Sequence, residues 1–200
     1  MGKLIVNLNM TLDGVVQAPG HPDEDRRGGF QHGGWAAPYF DAVMAEEAGK
    51  GMAQQPALLF GRGTYEHFYS VWPNRTDGNM FTDVLNNAQK YVASHTLKEP
   101  LVWMNSTLLP GDAAGPLAKL KRELDKDIVI LGSISLVQSL MSRRLIDVFA
   151  LSIHPLVLGS GTRLFNDPKH FAALRLVDSK TTSTGVVIAN YVPGEMPGQK

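Results

Sequence analysis

Two hundred residues are enough chain for one domain with a substantial buried core. Lys plus Arg number 19 and Asp plus Glu number 19, so no basic excess exists to neutralise a nucleic-acid backbone, and a general DNA or RNA binder is not expected. The chain has no cysteine, which removes disulfide frameworks, thiolate zinc sites and cysteine nucleophiles.

Residues 4–12 alternate partly between apolar and polar side chains and stop at Asp13-Gly14, a turn dipeptide, as a strand entering a loop should. Polar interruptions at Asn7 and Asn9 come too early for a secretory apolar region and too often for a membrane span, so a cytoplasmic protein is expected. Residues 17–35 carry Pro19, Pro22, five glycines and a charged run from Asp23 to Arg27. They form a long loop, either a functional lid or a mobile surface insertion. Pro38 suits the first turn of a helix expected over about 38–48 and closed by Gly49 and Gly51. Wholly apolar runs at 57–60, 91–93 and 101–104 suit strands buried on both faces.

An amphipathic helix over 117–124 leads to a strand at 128–131, a tight turn at Gly132-Ser133 and a helix over 136–141, which establishes a β-α-β rhythm. An extended stretch is expected over 148–158 and a terminal hairpin from 174–177 and 186–189. The economical reading is one α/β domain with a mixed sheet over 1–193, followed by a flexible tail, 194–200, of Pro, Gly and polar residues.

In such sheets ligands bind beyond the carboxyl ends of the strands, so two glycine-bearing strand-to-helix turns matter most. They are Gly61-Arg62-Gly63-Thr64 and Gly132-Ser133-Ile134-Ser135. Each offers backbone N–H groups and the positive end of a helix dipole to a phosphate, and Arg62 and Thr64 add donors. Either turn alone is explained by tight turning; the pair points to two phosphate groups. Neither is a Rossmann fingerprint, because no third glycine follows Gly61 and Gly63 at the required spacing, and no Walker motif occurs. The six histidines show no HExxH spacing and no G-x-S-x-G elbow is present, so neither a protein-built metal site nor a serine nucleophile is expected.

The string Phe60-Gly61-Arg62-Gly63-Thr64-Tyr65-Glu66 resembles the G-R-x-T-[WY]-E signature of dihydrofolate reductases. The run Ile130-Leu131-Gly132-Ser133, with Leu145-Ile146-Asp147 and His154-Pro155 through Gly159-Ser160-Gly161, is similar to the reductase domain of bifunctional riboflavin biosynthesis enzymes and its stand-alone relatives. Thr11-Leu12-Asp13-Gly14 and Gly33-Gly34-Trp35 resemble the same relatives. The resemblance spans nearly the whole chain and implies a dihydrofolate reductase-like three-layer fold: a central mixed, mostly parallel sheet flanked by helices, with a C-terminal antiparallel hairpin.

It further implies an oxidoreductase that uses NADPH to reduce a small unsaturated heterocycle of pterin or pyrimidinone type. By analogy Gly61, Arg62, Thr64 and Ser94 hold the 2'-phosphate side, Leu131, Gly132, Ser133, Ile134 and Ser135 the pyrophosphate, and Asn7 and Leu8 the nicotinamide. Ser133 stands where dihydrofolate reductases have a second glycine, so folate is not the favoured substrate. Asp41 is the candidate catalytic proton donor, with water as the other source, although it sits one place later than the pterin-binding acid of dihydrofolate reductases; its plain alternative is an early-helix carboxylate near the positive end of the dipole. Trp35 either walls the substrate site or anchors the 17–35 loop, and Asp13 either meets substrate or ends the first strand for conformational reasons. The rival readings are a catalytically silent nucleotide-binding module and a reductase using flavin or deazaflavin. A homodimer joined through the apolar run 149–158 and the strands after it is expected, as in the similar riboflavin-type reductases.

Overall fold

The computed structural model describes residues 2–76, 78, 80–166 and 172–196. Among the described residues eight strands form one sheet: β1 (Leu4–Thr11), β2 (Ala57–Gly61), β3 (Lys90–Ser94), β4 (Ser106–Pro110), β5 (Ile128–Ile130), β6 (Val148–His154), β7 (Leu174–Thr181) and β8 (Val187–Pro193). Their spatial order is β4-β3-β2-β5-β1-β6-β8-β7. The helices are α1 (Ala42–Ala53), α2 (Arg62–Val71), α3 (Met80–Asn87), α4 (Ala114–Glu123) and α5 (Ile134–Ser142). Pairings of β2 with β3, β2 with β5 and β3 with β4 are parallel, whereas β6–β8 and β7–β8 are antiparallel. This is the α/β mixed sheet with a terminal hairpin that the sequence implies. By contacts the chain divides into two compact units, Met1–Ile5 with Ala48–Leu145, and Val6–Glu47 with Ile146–Lys200.

In the first unit the apolar run of β2 is buried at every position, as a strand covered on both faces requires. Leu58 and Phe60 join Tyr65, Leu85, Val92 and Trp103 in the core. The run 101–104, expected as a strand, is not one. Trp103 is 2 % exposed while Val102 and Met104 on either side are 69 % and 56 % exposed, and the strand forms just afterwards as β4. The indole is a plug rather than a rung of the ladder: its backbone N–H donates to the Tyr65 hydroxyl at 2.8 Å and its Nε1 to Asn86 Oδ1 at 2.8 Å. A four-residue apolar run does not by itself distinguish a strand from a loop with one deeply inserted aromatic ring.

Lys90, at the start of β3, is fully buried. Its Nζ donates to the carbonyls of Asn86, Ala88 and Met104 at 2.8, 2.8 and 3.1 Å and lies 4.6 Å from the Trp103 ring centre, so the ammonium ties the end of α3 to the loop before β4. Burial pushes its pKa down to about 8 from 10.5. The unfolded chain therefore holds more protons than the folded one between those values, and this group makes stability rise as pH climbs through that window. We expect the urea midpoint of the native protein to rise from pH 8 to 10.5 relative to that of Lys90→Met; parallel curves for the two proteins would show that Lys90 does not titrate differently on folding.

In the second unit the 17–35 stretch is bonded to itself and to the chain after β6. Gln17 Nε2 donates to the Asp25 and Arg27 carbonyls at 3.2 and 3.0 Å, and its Oε1 accepts from the Thr162 N–H at 2.9 Å. Val15, Ala18, Phe30, Trp35 and Ala36 form a small buried cluster with Leu156 and Leu158 packed against it. A 3-10 turn at Ala37–Tyr39 follows, and α1 starts at Ala42 and runs to Ala53, instead of covering the expected 38–48. Phe40 is extended, which interrupts the helix begun at Pro38. Gly49 and Gly51 are carried inside α1, where each costs about 1 kcal/mol against alanine without ending a helix. The extended stretch expected over 148–158 stops at His154, because Pro155 has no N–H to continue a ladder. The hairpin β7–β8 is longer than expected, with an irregularity between Leu176 and Asp178. Of the expected tail, residues 197–200 lie outside the described residues.

Candidate active site

Strands β2 and β5 are parallel neighbours, with Ala57, Leu58 and Leu59 opposite Ile128, Val129 and Ile130. Strands in register that end together and turn into α2 and α5 bring their two glycine corners side by side. The Gly61 N–H donates to the Gly132 carbonyl at 3.2 Å. A Cβ on Gly61 would stand 2.3 Å from Ser133 Oγ, so the serine hydroxyl occupies the space that only glycine leaves. Gly132 has φ +135, a conformation that L side chains rarely adopt, and a Cβ there would lie 2.8 Å from Thr64 Oγ1. The Gly132–Ser133 peptide is cis.

Helix α2 starts at Arg62 behind Gly61 and α5 at Ile134 behind Ser133, and neither cap residue makes a side-chain capping bond. The first amides of both helices therefore have no intrahelical acceptor, and two positive helix ends sit at adjoining corners. The Ser133 and Ser135 hydroxyls lie 3.2 Å apart at the second corner. Arg62 is 3.9 Å from Glu66 on the next turn, with both side chains about half exposed. Such a pair contributes little, so the guanidinium is available to a phosphate. Leu131 and Ile134 are half-buried, and Leu131 packs on the core of the unit. Ser94, at the end of β3, is buried, and its Oγ accepts the Thr96 and Leu97 N–H groups at 3.1 and 3.0 Å, the geometry of a strand-end cap. This unit thus brings Gly61, Thr64, Gly132 and Ser133 into one constellation.

The other expected site residues lie in the second unit. On β1, Asn7 is exposed and Leu8 buried. Trp35 is buried, with its Nε1 donating to the Gln17 carbonyl at 2.7 Å, so it anchors the loop. Asp13 is a clamp: Thr11 Oγ1 donates to it at 2.7 Å, Leu158 and Gly159 N–H at 3.2 and 2.9 Å, and Arg163 at 3.2 Å. The Thr11 hydroxyl, ahead of the Gly159 and Leu158 amides, holds its pKa down at about 2 against the opposing effect of desolvation. Asp41 caps α1, its Oδ1 accepting the Met44 N–H at 2.9 Å and its Oδ2 the Ser183 N–H and hydroxyl at 2.8 and 2.6 Å. These bonds, that of the Ser183 hydroxyl foremost, hold its carboxyl below the usual range. Asp41→Ala should lower the urea unfolding midpoint through the lost N-cap; an unchanged midpoint would remove the cap assignment.

Sequence reasoning missed one pair in this unit. His154 is fully buried at the end of β6, with its Nε2 3.0 Å from Asn9 Oδ1 and its ring edge-on to Trp35 and Tyr39 at 5.1 and 5.4 Å. The signal was the polar residue Asn9 two places after Asn7 on one strand, which period-two alternation puts on the same face. Among the described residues no cluster of three or more potential metal ligands occurs, and no helix is long and apolar enough to cross a membrane.

The model of the RibD C-terminal domain matches residues 2–188, and the chain belongs to that family, a family of reductases. The uncharacterized protein YyaP of Bacillus subtilis (strain 168) is 30 % identical over 197 residues, covering 94 % of each chain. Two solved structures share the fold. Dihydrofolate reductase from Enterococcus faecalis, complexed with NADP(H), aligns with a TM-score of 0.62 at 13 % identity over 97 % of this chain and 98 % of its own. A pyrimidine reductase-like protein from Corynebacterium diphtheriae aligns with a TM-score of 0.62 at 12 % identity over 97 % and 92 %. The fold is dihydrofolate reductase-like.

Proposed function

We propose that this chain is an NADPH-dependent reductase that delivers hydride to a small unsaturated heterocycle of pterin or pyrimidinone type. The observation that carries the reading is the pair of glycine corners in direct contact, Gly61 N–H on the Gly132 carbonyl, each lacking a Cβ where one would collide with the other corner. The contact holds the starts of α2 and α5 side by side, and such a pair fits adjoining phosphates through the unpaired first amides and the positive dipole ends of both helices. Arg62, Thr64 and Ser94 would hold the 2'-phosphate side, and residues 131–135 the pyrophosphate. Asn7 and Leu8 are proposed as nicotinamide contacts on the family resemblance.

When bound, the dinucleotide supplies the hydride. The chain's share is to bind, orient and exclude water, which accounts for a site without an activated nucleophile. Asp41 and solvent water are the proposed proton sources; the bonds to Asp41, that of the Ser183 hydroxyl foremost, hold its carboxyl below the usual range and so favour water. The test is absorbance loss at the reduced nicotinamide band with NADPH and a panel of pterin, pyrimidinone and quinone-like acceptors. Turnover with any one supports the reductase. Tight NADPH binding with no turnover across the panel would instead support a silent nucleotide-binding module.

We also propose a homodimer through the β6–β8 region. β7 is the edge of the sheet, with Leu176 and Val177 about half exposed, and Val187 on β8 is partly exposed. These exposed apolar side chains, beside the charged Arg175, Asp178 and Lys180 of the same strand, are the surface a second copy would cover. Light scattering at micromolar concentration should give twice the chain mass, and a monomer would refute the assembly.

A further inference from the structure

We propose that His154 is a positioning residue that locks the Asn9 side-chain amide with its NH2 group outward, making Asn9 a hydrogen-bond donor for the ring-borne carbonyl oxygen of a flat heterocycle bound on this face of β1. The inference deepens the reductase reading and rests on it. Its first support is an otherwise unexplained cost. His154 is fully buried, its Nε2 bonds Asn9 Oδ1 at 3.0 Å, and its Nδ1 has no partner among the described residues. An unsatisfied buried nitrogen disfavours the fold, and core packing alone would be served better by leucine. Burial without a neighbouring charge pushes its pKa down to about 4, so at neutral pH the ring has a single N–H. Asn9 Oδ1 is an acceptor and takes that N–H.

The consequence falls on Asn9. With its oxygen committed inward to His154, its Nδ2 is left with two protons to donate, and no described residue accepts them. The side chain is partly exposed and lies on the strand face it shares with Asn7. The Trp35 and Tyr39 rings, edge-on to the imidazole at 5.1 and 5.4 Å, hold its plane and so the direction of the Nε2 bond. The partner this chemistry selects is a carbonyl acceptor on a planar ring, supplied either by the nicotinamide carboxamide or by a lactam of the reducible heterocycle.

The experiment measures dissociation constants of three probes: NADPH, 2',5'-ADP (phosphates without nicotinamide), and lumazine in the presence of NADP+. The proteins are wild type, His154→Leu, His154→Gln, Asn9→Asp and Asn9→Ser, each checked for a cooperative melt. His154→Leu and Asn9→Asp should weaken NADPH or lumazine roughly five- to tenfold, the loss of one hydrogen bond, and leave 2',5'-ADP unchanged. His154→Gln, whose amide nitrogen can reach where Nε2 stood, should stay within about twofold of wild type on the same hydrogen-bond argument. Weakening of NADPH assigns the donor to the carboxamide; weakening of lumazine alone assigns it to the acceptor's lactam. Should the His154 variants not fold, the two Asn9 variants carry the test. Unchanged NADPH and lumazine affinities in Asn9→Asp and Asn9→Ser, or equal losses on 2',5'-ADP, overturn the inference while the reductase reading stands. Failure of wild type to bind NADPH or 2',5'-ADP overturns the reading beneath it.

Discussion

Arg62→Ala is expected to weaken NADPH roughly 10- to 100-fold, the size of a lost charge-assisted hydrogen-bond pair, while NADH binding stays within about twofold. The discrimination follows from position. Arg62 opens α2 directly behind Gly61, its ion pair among the described residues is a loose 3.9 Å approach to Glu66, and its side chain is more than half exposed. A guanidinium so placed adds binding only where a ligand brings a phosphate to it, and the 2'-phosphate is what distinguishes NADPH from NADH. Fluorescence titration with both nucleotides reads the effect, and equal, small changes for the two would place the 2'-phosphate elsewhere.

Gly132→Ala is expected to act differently, on fold and on both nucleotides at once. At φ +135 an alanine is strained by about 1–3 kcal/mol before any neighbour is considered, and its Cβ would meet Thr64 Oγ1 at 2.8 Å. Relief requires the two corners to separate, which moves the α5 amides away from those of α2. Urea unfolding should show the loss of stability, and NADPH and NADH should weaken together because the pyrophosphate is common to both. A variant with native stability and native affinity for both would mean that the corners have slack that this geometry does not show.

Much of this architecture can be read from the residues because the decisive patterns are local. Four apolar residues before Gly61 and three before Leu131 make parallel central strands, and a glycine followed by donor side chains marks each turn into a helix. The contact between Gly61 and Gly132 needs in addition that β2 and β5 be neighbours, which no local pattern states; the family resemblance implied only that the two turns serve one dinucleotide. What escaped the sequence depends on burial of single side chains. Trp103 turns an apolar run into a plug because Tyr65 and Asn86 meet its N–H groups. Asp41 becomes a tethered cap because Ser183, 142 residues later, closes on it. His154 and Asn9 are 145 residues apart, and their bond exists only after β1 and β6 are placed.

A crystal structure with NADPH bound tests the central claim most directly. The account predicts the pyrophosphate over the Gly132 to Ser135 turn, within hydrogen-bond distance of the first amides of α5, and the 2'-phosphate against Arg62. A dinucleotide seated away from both corners, or no density at saturating NADPH, would contradict it.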